Sequence, residues 1–89
     1  MLFISPIANG VAGQWTKMSG EHGKDIDVGA DGTVIGVGEN GKFVRWNEAR
    51  EAWQMVPNLP NTQALTIAVG TQDHIWALDV DGNAWTWKP

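Results

Sequence analysis

The chain has no cysteine, no tyrosine, only six Lys and Arg, and no long apolar run in its 89 residues. Each shortage closes a class of function. Without cysteine there is no disulfide, no thiolate metal site and no cysteine nucleophile. The redox compartment stays open, because a disulfide-free protein can live on either side of a membrane. The six basic residues are scattered and outnumbered by ten acidic ones, for a net charge of −4. Nucleic-acid binding needs clustered Lys and Arg against phosphate, so no nucleic-acid partner is expected. Attraction to an anionic membrane surface is disfavoured on the same ground. No apolar run approaches the roughly 20 residues of a membrane span, so no membrane insertion is expected either. The opening Met1–Ile7 is apolar but short and lacks the basic stretch of a signal peptide. The expected location is therefore the cytoplasm, or outside the cell by a non-classical route.

Catalytic patterns are equally scarce. No Ser-His-Asp order, glycine-rich phosphate loop or paired carboxylate stands out, so neither an enzyme nor a cofactor is expected. His22 and His74 are too few to hold a metal alone. Asp79-Val80-Asp81-Gly82-Asn83 resembles the start of a calcium loop, but residues 84–89 contain no later acidic ligand. A hairpin turn is the expected structure there.

What the chain does have is a repeat. Ile26, Val28, Gly29, Gly41 and Trp46 recur as Ile67, Val69, Gly70, Gly82 and Trp87, each 41 residues later and without a gap. Val34/Ile75 and Val37/Leu78 are apolar in both copies. Trp15 and Trp53 open the segment before each copy. Their offset is 38, so the second copy carries three extra residues near Pro57–Gln63. A period of about 40 residues built from short strands marks a solenoid or propeller. Eleven glycines and four prolines suit short strands and tight turns. Asp31-Gly32 and Asn40-Gly41 are strong hairpin signals. Alternation and turn residues place strands at 14–19, 25–29, 33–37, 42–46, 52–56, 64–70, 74–78 and 83–87, after an N-terminal arm of residues 1–13.

The order is one Trp strand, three strands, a second Trp strand, three strands. A four-stranded blade needs a Trp strand after each group of three, and the second group lacks one. The expected fold is all-β: two blades per chain, assembling head-to-tail into a closed propeller with a strand exchanged between subunits. Trp15 of one chain would complete the second blade of its neighbour. Both faces of each blade are apolar and want a neighbour. A head-to-tail contact closes into a ring or grows without limit. Three chains give six blades and four give eight, both within the usual range of about four to eight. The expected partner is thus the chain itself, as a homotrimer, with a tetramer as the alternative.

The pattern Trp-x-x-Met/Val, Ile-x-Val-Gly, Val/Ile-x-Gly/Ala-Val/Leu, Gly-x-x-Val/Trp-x-Trp resembles the tectonin repeat over Gln14–Lys88. The resemblance implies a β-propeller, commonly six-bladed, and a lectin that binds glycans on cell surfaces. The family often has Trp in the second strand and an aromatic in the third. The second copy keeps these as Trp76 and Trp85, whereas the first has Ile35 and Val44. One blade of each pair would then carry the working site.

Sugar binding needs an aromatic face to stack on the C–H face of the ring and fixed polar groups for its hydroxyls. Trp76 and Trp85 do not recur between the copies, unlike Trp15, Trp53, Trp46 and Trp87, and are the candidate stacking residues. His74, Asp79, Asp81 and Asn83 are the candidate polar partners. The expected function is carbohydrate binding by a multivalent ring. The alternative is a non-catalytic assembly module, natural or an engineered propeller fragment, that binds no sugar.

Overall fold

A computed structural model describes residues 13–18, 20 and 22–88. Among them the chain is all-β, with seven strands and no helix. The first sheet holds β1 (Gly23–Val28), β2 (Val34–Gly38), β3 (Phe43–Asn47) and β4 (Ala52–Met55), in that order and antiparallel throughout. The second holds β5 (Ala64–Thr71), β6 (His74–Asp79) and β7 (Ala84–Thr86), likewise antiparallel. Strand ends differ from the expected ones by a residue or two, as terminal pairs fray.

The expected strand at 14–19 does not form within the chain. Residues 13–18 carry no strand and Trp15 is fully exposed. A strand gains its backbone bonds only from a neighbour, and this segment pairs with none. Ser19, and the arm apart from Gly13, fall outside the described residues.

Three of the hairpins are built alike. In Gly29–Thr33, Gly38–Lys42 and Asp79–Asn83 the first N–H donates to the fifth carbonyl, and the fourth N–H donates back to the first carbonyl. The fourth residue is Gly32, Gly41 or Gly82, with φ of 87°, 77° and 87°. A type I turn closed by a left-handed glycine needs such a residue. The calcium-like run at 79–83 is therefore one of three equivalent turns.

The sheets pack through their inner faces. Ile35, Val37 and Phe43 of the first meet Ala64, Ile67, Val69 and Ala77 of the second, and Val56, Leu59 and Ile75 close the rim. This core is small. Ile26, Val28 and Met55 stay exposed on the outer face of the first sheet, and Trp76 and Leu78 on that of the second. Among the described residues no helix is long and apolar enough to cross a membrane.

Carboxylates fasten the two sheets where β1 meets β5. Asp25 and Asp27 accept the N–H groups of Ile67 and Val69, at 2.8 and 2.6 Å. Asp31 accepts the N–H of Gln72 at 2.9 Å. The Gln72 amide and then that of Thr33 hold the Asp31 carboxyl below its ordinary range. The outward N–H groups of Ile67 and Val69 are thus satisfied without another strand being added beside β5.

Candidate functional site

A cleft of about 440 Å³ opens between the sheets on the β7 side. Phe43, Ile75 and Trp85 wall it, and Arg45 and Gln72 supply its polar groups. Trp76 and Trp87 contribute to its lining at the open edge. Arg45 Nη2 lies 3.4 Å from Gln72 Oε1, so the two side chains lean on each other across the gap between sheets.

The candidate residues divide into three groups. Asp79 is buried and organises the 79–83 turn. Its Oδ1 accepts the N–H groups of Asp81 and Asn83, each at 2.9 Å. Its Oδ2 accepts Asn83 Nδ2 at 3.2 Å and Trp85 Nε1 at 2.9 Å. The Trp85 indole N–H, then the Asn83 backbone N–H, hold the Asp79 carboxyl below its usual range, against the cost of burial. Asp79 and Asn83 therefore fix the turn and the ring of Trp85. The Asp79 carboxylate and the Asn83 side-chain amide N–H are engaged with each other and with that turn.

Trp85 is the candidate best placed for stacking. It faces Ala77 across the β6–β7 pairing, on the inner face, half-buried in the cleft wall. With its N–H anchored to a buried carboxylate, its ring orientation is set before any ligand arrives.

Trp76 pairs with Thr86, one residue out of step with Trp85, so alternation sends it to the outer face. It is 54% exposed there. His74 is exposed at the start of β6, its Nδ1 3.1 Å from Thr71 Oγ1. Asp81 is exposed at the hairpin tip. His74 and Asp81 do not line the cleft. Arg45 and Gln72 do, and the sequence reading missed them. One signal was available: Arg45 interrupts the apolar strand Phe43-Val44-Arg45-Trp46. Among the described residues no three His, Asp or Glu side chains gather as they would around a metal ion.

No protein-family model matches the chain, and no curated protein sequence matches it.

Proposed function

We propose that the chain is a carbohydrate-binding protein whose copies join head-to-tail into a propeller ring, three chains giving six blades and four giving eight. The observation that carries the sugar reading is Trp85, whose indole is locked by Asp79 on the wall of an aromatic cleft with Arg45 and Gln72 opposite. A rigid aromatic face with a few oriented donors and acceptors is what a pyranose needs. Repeating one weak site around a ring gains avidity without new contacts. The tectonin-like pattern of the repeats agrees with this reading.

The tryptophan pair of the first sheet supports a strand exchange. In the first sheet Trp46 and Trp53 pack edge-on-face, ring centres 5.2 Å apart, where β4 completes the sheet. Trp87 is the repeat counterpart of Trp46, and Trp15 that of Trp53. Trp15 of a second copy would add along β7 and seat its ring on Trp87. The same register brings Lys17, the counterpart of Met55, beside Trp85, because Met55 pairs with Val44 and Val44 corresponds to Trp85. A Cβ on Gly20 would press into the ring of Trp53. In the proposed ring the chain would reach the neighbour from this side of the first sheet.

One observation favours a second reading, assembly without sugar. Trp85, Thr86 and Trp87 at the β7 edge line the cleft, and a strand added along β7 would narrow it. The two readings part in one experiment. The native mass of the ring is measured first, and the assembled protein is then screened on a glycan array, with tryptophan fluorescence following each hit. The sugar reading expects a binder that shifts the fluorescence and whose affinity drops about tenfold or more in Trp85→Ala, with the native mass unchanged. A correctly assembled ring that binds no glycan would refute it and leave the assembly module.

A further inference from the structure

The 41-residue repeat gives each contact of the first sheet a counterpart on the second. Asp25, Asp27 and Ile35, on the inner face of the first sheet, correspond to Thr66, Ala68 and Trp76 on the outer face of the second. Ile67 and Val69, which receive them, correspond to Ile26 and Val28 on the outer face of the first. The chain therefore exposes, at its two ends, both halves of a contact it already makes inside itself. Ile35, Ile67 and Val69 are 4%, 7% and 7% exposed in that internal contact, whereas Ile26, Val28 and Trp76 stand at 57%, 59% and 54%.

We propose that a second copy of this chain seats its Ile26 and Val28 on Thr66, Ala68 and Trp76, in the geometry of the internal contact, and that this junction is the weaker of the two because its carboxylates are missing. The proposal rests on the ring reading and adds to it which surfaces meet and why they separate. Inside the chain, Asp25 and Asp27 hold the edge N–H groups of Ile67 and Val69. Between chains, the matching N–H groups belong to Ile26 and Val28. Thr66 offers them a hydroxyl and Ala68 offers nothing. Charge-assisted bonds are about twice as strong as neutral ones, so the internal junction is fastened and the external one rests on apolar contact. Trp76 supplies that contact: it stands where Ile35 does, with a larger face. This makes Trp76 an assembly residue and leaves Trp85 to the sugar.

The chain has no cysteine, which permits a clean cross-linking test. Val28→Cys and Ala68→Cys proteins are prepared separately, mixed at a dilution where the ring is dissociated, concentrated to reassemble mixed rings and oxidised. The pairing copies that of Asp27 with Val69, so a disulfide-linked dimer is expected in the mixture and not in either protein alone. A second measurement restores the missing groups. The double variant Thr66→Asp, Ala68→Asp should lower the concentration at which the ring dissociates by about tenfold or more, read by native mass spectrometry on dilution. Trp76→Ala should raise it by a similar factor. A ring that forms but gives no 28–68 cross-link overturns the proposed pairing while leaving the ring. A ring that cross-links but is unchanged or loosened in the folded double variant overturns the account of its weakness. Should the double variant fail to fold, Ala68→Asp alone decides that point, an unchanged midpoint overturning the account; an unchanged midpoint in Trp76→Ala overturns the role of Trp76. A chain that is monomeric at every concentration overturns both this inference and the ring.

Discussion

In the first sheet, positions 25, 27 and 31 are aspartates whose carboxylates cross to the second sheet and hold its backbone. Forty-one residues on, the same positions are Thr66 and Ala68, which face outward, and Gln72, whose side chain reaches Arg45 across the cleft. The first sheet has four strands and the second three. The first keeps small or aliphatic residues at 35, 36 and 44, and the second has Trp76, Ala77 and Trp85. One template has thus been specialised twice. The first copy is built to grip its neighbour along the chain. The second is built to present aromatic surface. Equivalence of sequence position does not mean equivalence of environment, because the environment depends on which face a neighbour covers.

The sharpest way to break that comparison is to cut the same position in both copies. Ile35 is 4% exposed and sits in the core, whereas Trp76 is 54% exposed. Ile35→Ala should cost about 2–5 kcal/mol through lost burial and a residual cavity. Trp76→Ala, measured by urea unfolding at concentrations where the chain is monomeric, should cost no more than about 1 kcal/mol. At concentrations where the ring forms, the Trp76→Ala penalty should grow. Equal penalties for the two in the monomer would mean that the outer face of the second sheet is covered within a single chain.

The repeat made the strands legible, because alternation and the Asp-Gly and Asn-Gly turns are local signals. It also exposed its own exception. Trp15 matches Trp53, yet 13–18 forms no strand where β4 does, since strand formation at 52–55 depends on β3 lying beside it. The site was less legible. Trp76 and Trp85 were grouped by their failure to recur, but the register that pairs Trp76 with Thr86 puts the two rings on opposite faces. Asp79 and Asn83 looked like ligand partners because they are polar and close in sequence to the tryptophans. Their hydrogen bonds are spent on the turn. Arg45 and Gln72 meet only through the packing of two sheets, and no local pattern links residues 27 apart.

The turns offer a finer comparison. Gly41 and Gly82 hold the same left-handed place in equivalent hairpins, with φ of 77° and 87°. An alanine there pays about 1–2 kcal/mol for that conformation in either copy. At Gly82 the added methyl meets open space. At Gly41 it collides with the Cβ of Gln63, in the loop that leads into β5, where the Gly41 carbonyl also accepts the Ala64 N–H at 3.0 Å. Gly41→Ala should therefore be the more damaging by about 1 kcal/mol or more, in chemical denaturation of the two variants side by side. Equal losses would show that the Gln63 loop yields freely and does not brace the first sheet against the second.

Acid should separate the same two hairpins more gently. In the turn at 38–42 the extra amide bond goes to Asn40 Oδ1, a group that does not titrate. In the turn at 79–83 it goes to Asp79, whose carboxyl is held below its ordinary range first by the Trp85 N–H and then by the Asn83 amide. A carboxyl with a lowered folded value stabilises the native state above its unfolded value, and that contribution fades as pH falls through the folded one. From about pH 4 downward, the second hairpin should loosen while the first keeps its turn. Asp31, lowered chiefly by the Gln72 amide, follows the same sign and loosens the contact between sheets in the same window. Amide exchange, corrected for its intrinsic pH dependence, would read the difference at Gly82 and Asn83 against Gly41 and Lys42. Asp79→Asn should remove most of the pH dependence from the second hairpin and leave that of Asp31. If both hairpins lose protection together in the wild type and in Asp79→Asn alike, then Asp79 is not what holds Trp85 in place, and the preorganised face on which the sugar reading depends goes with it.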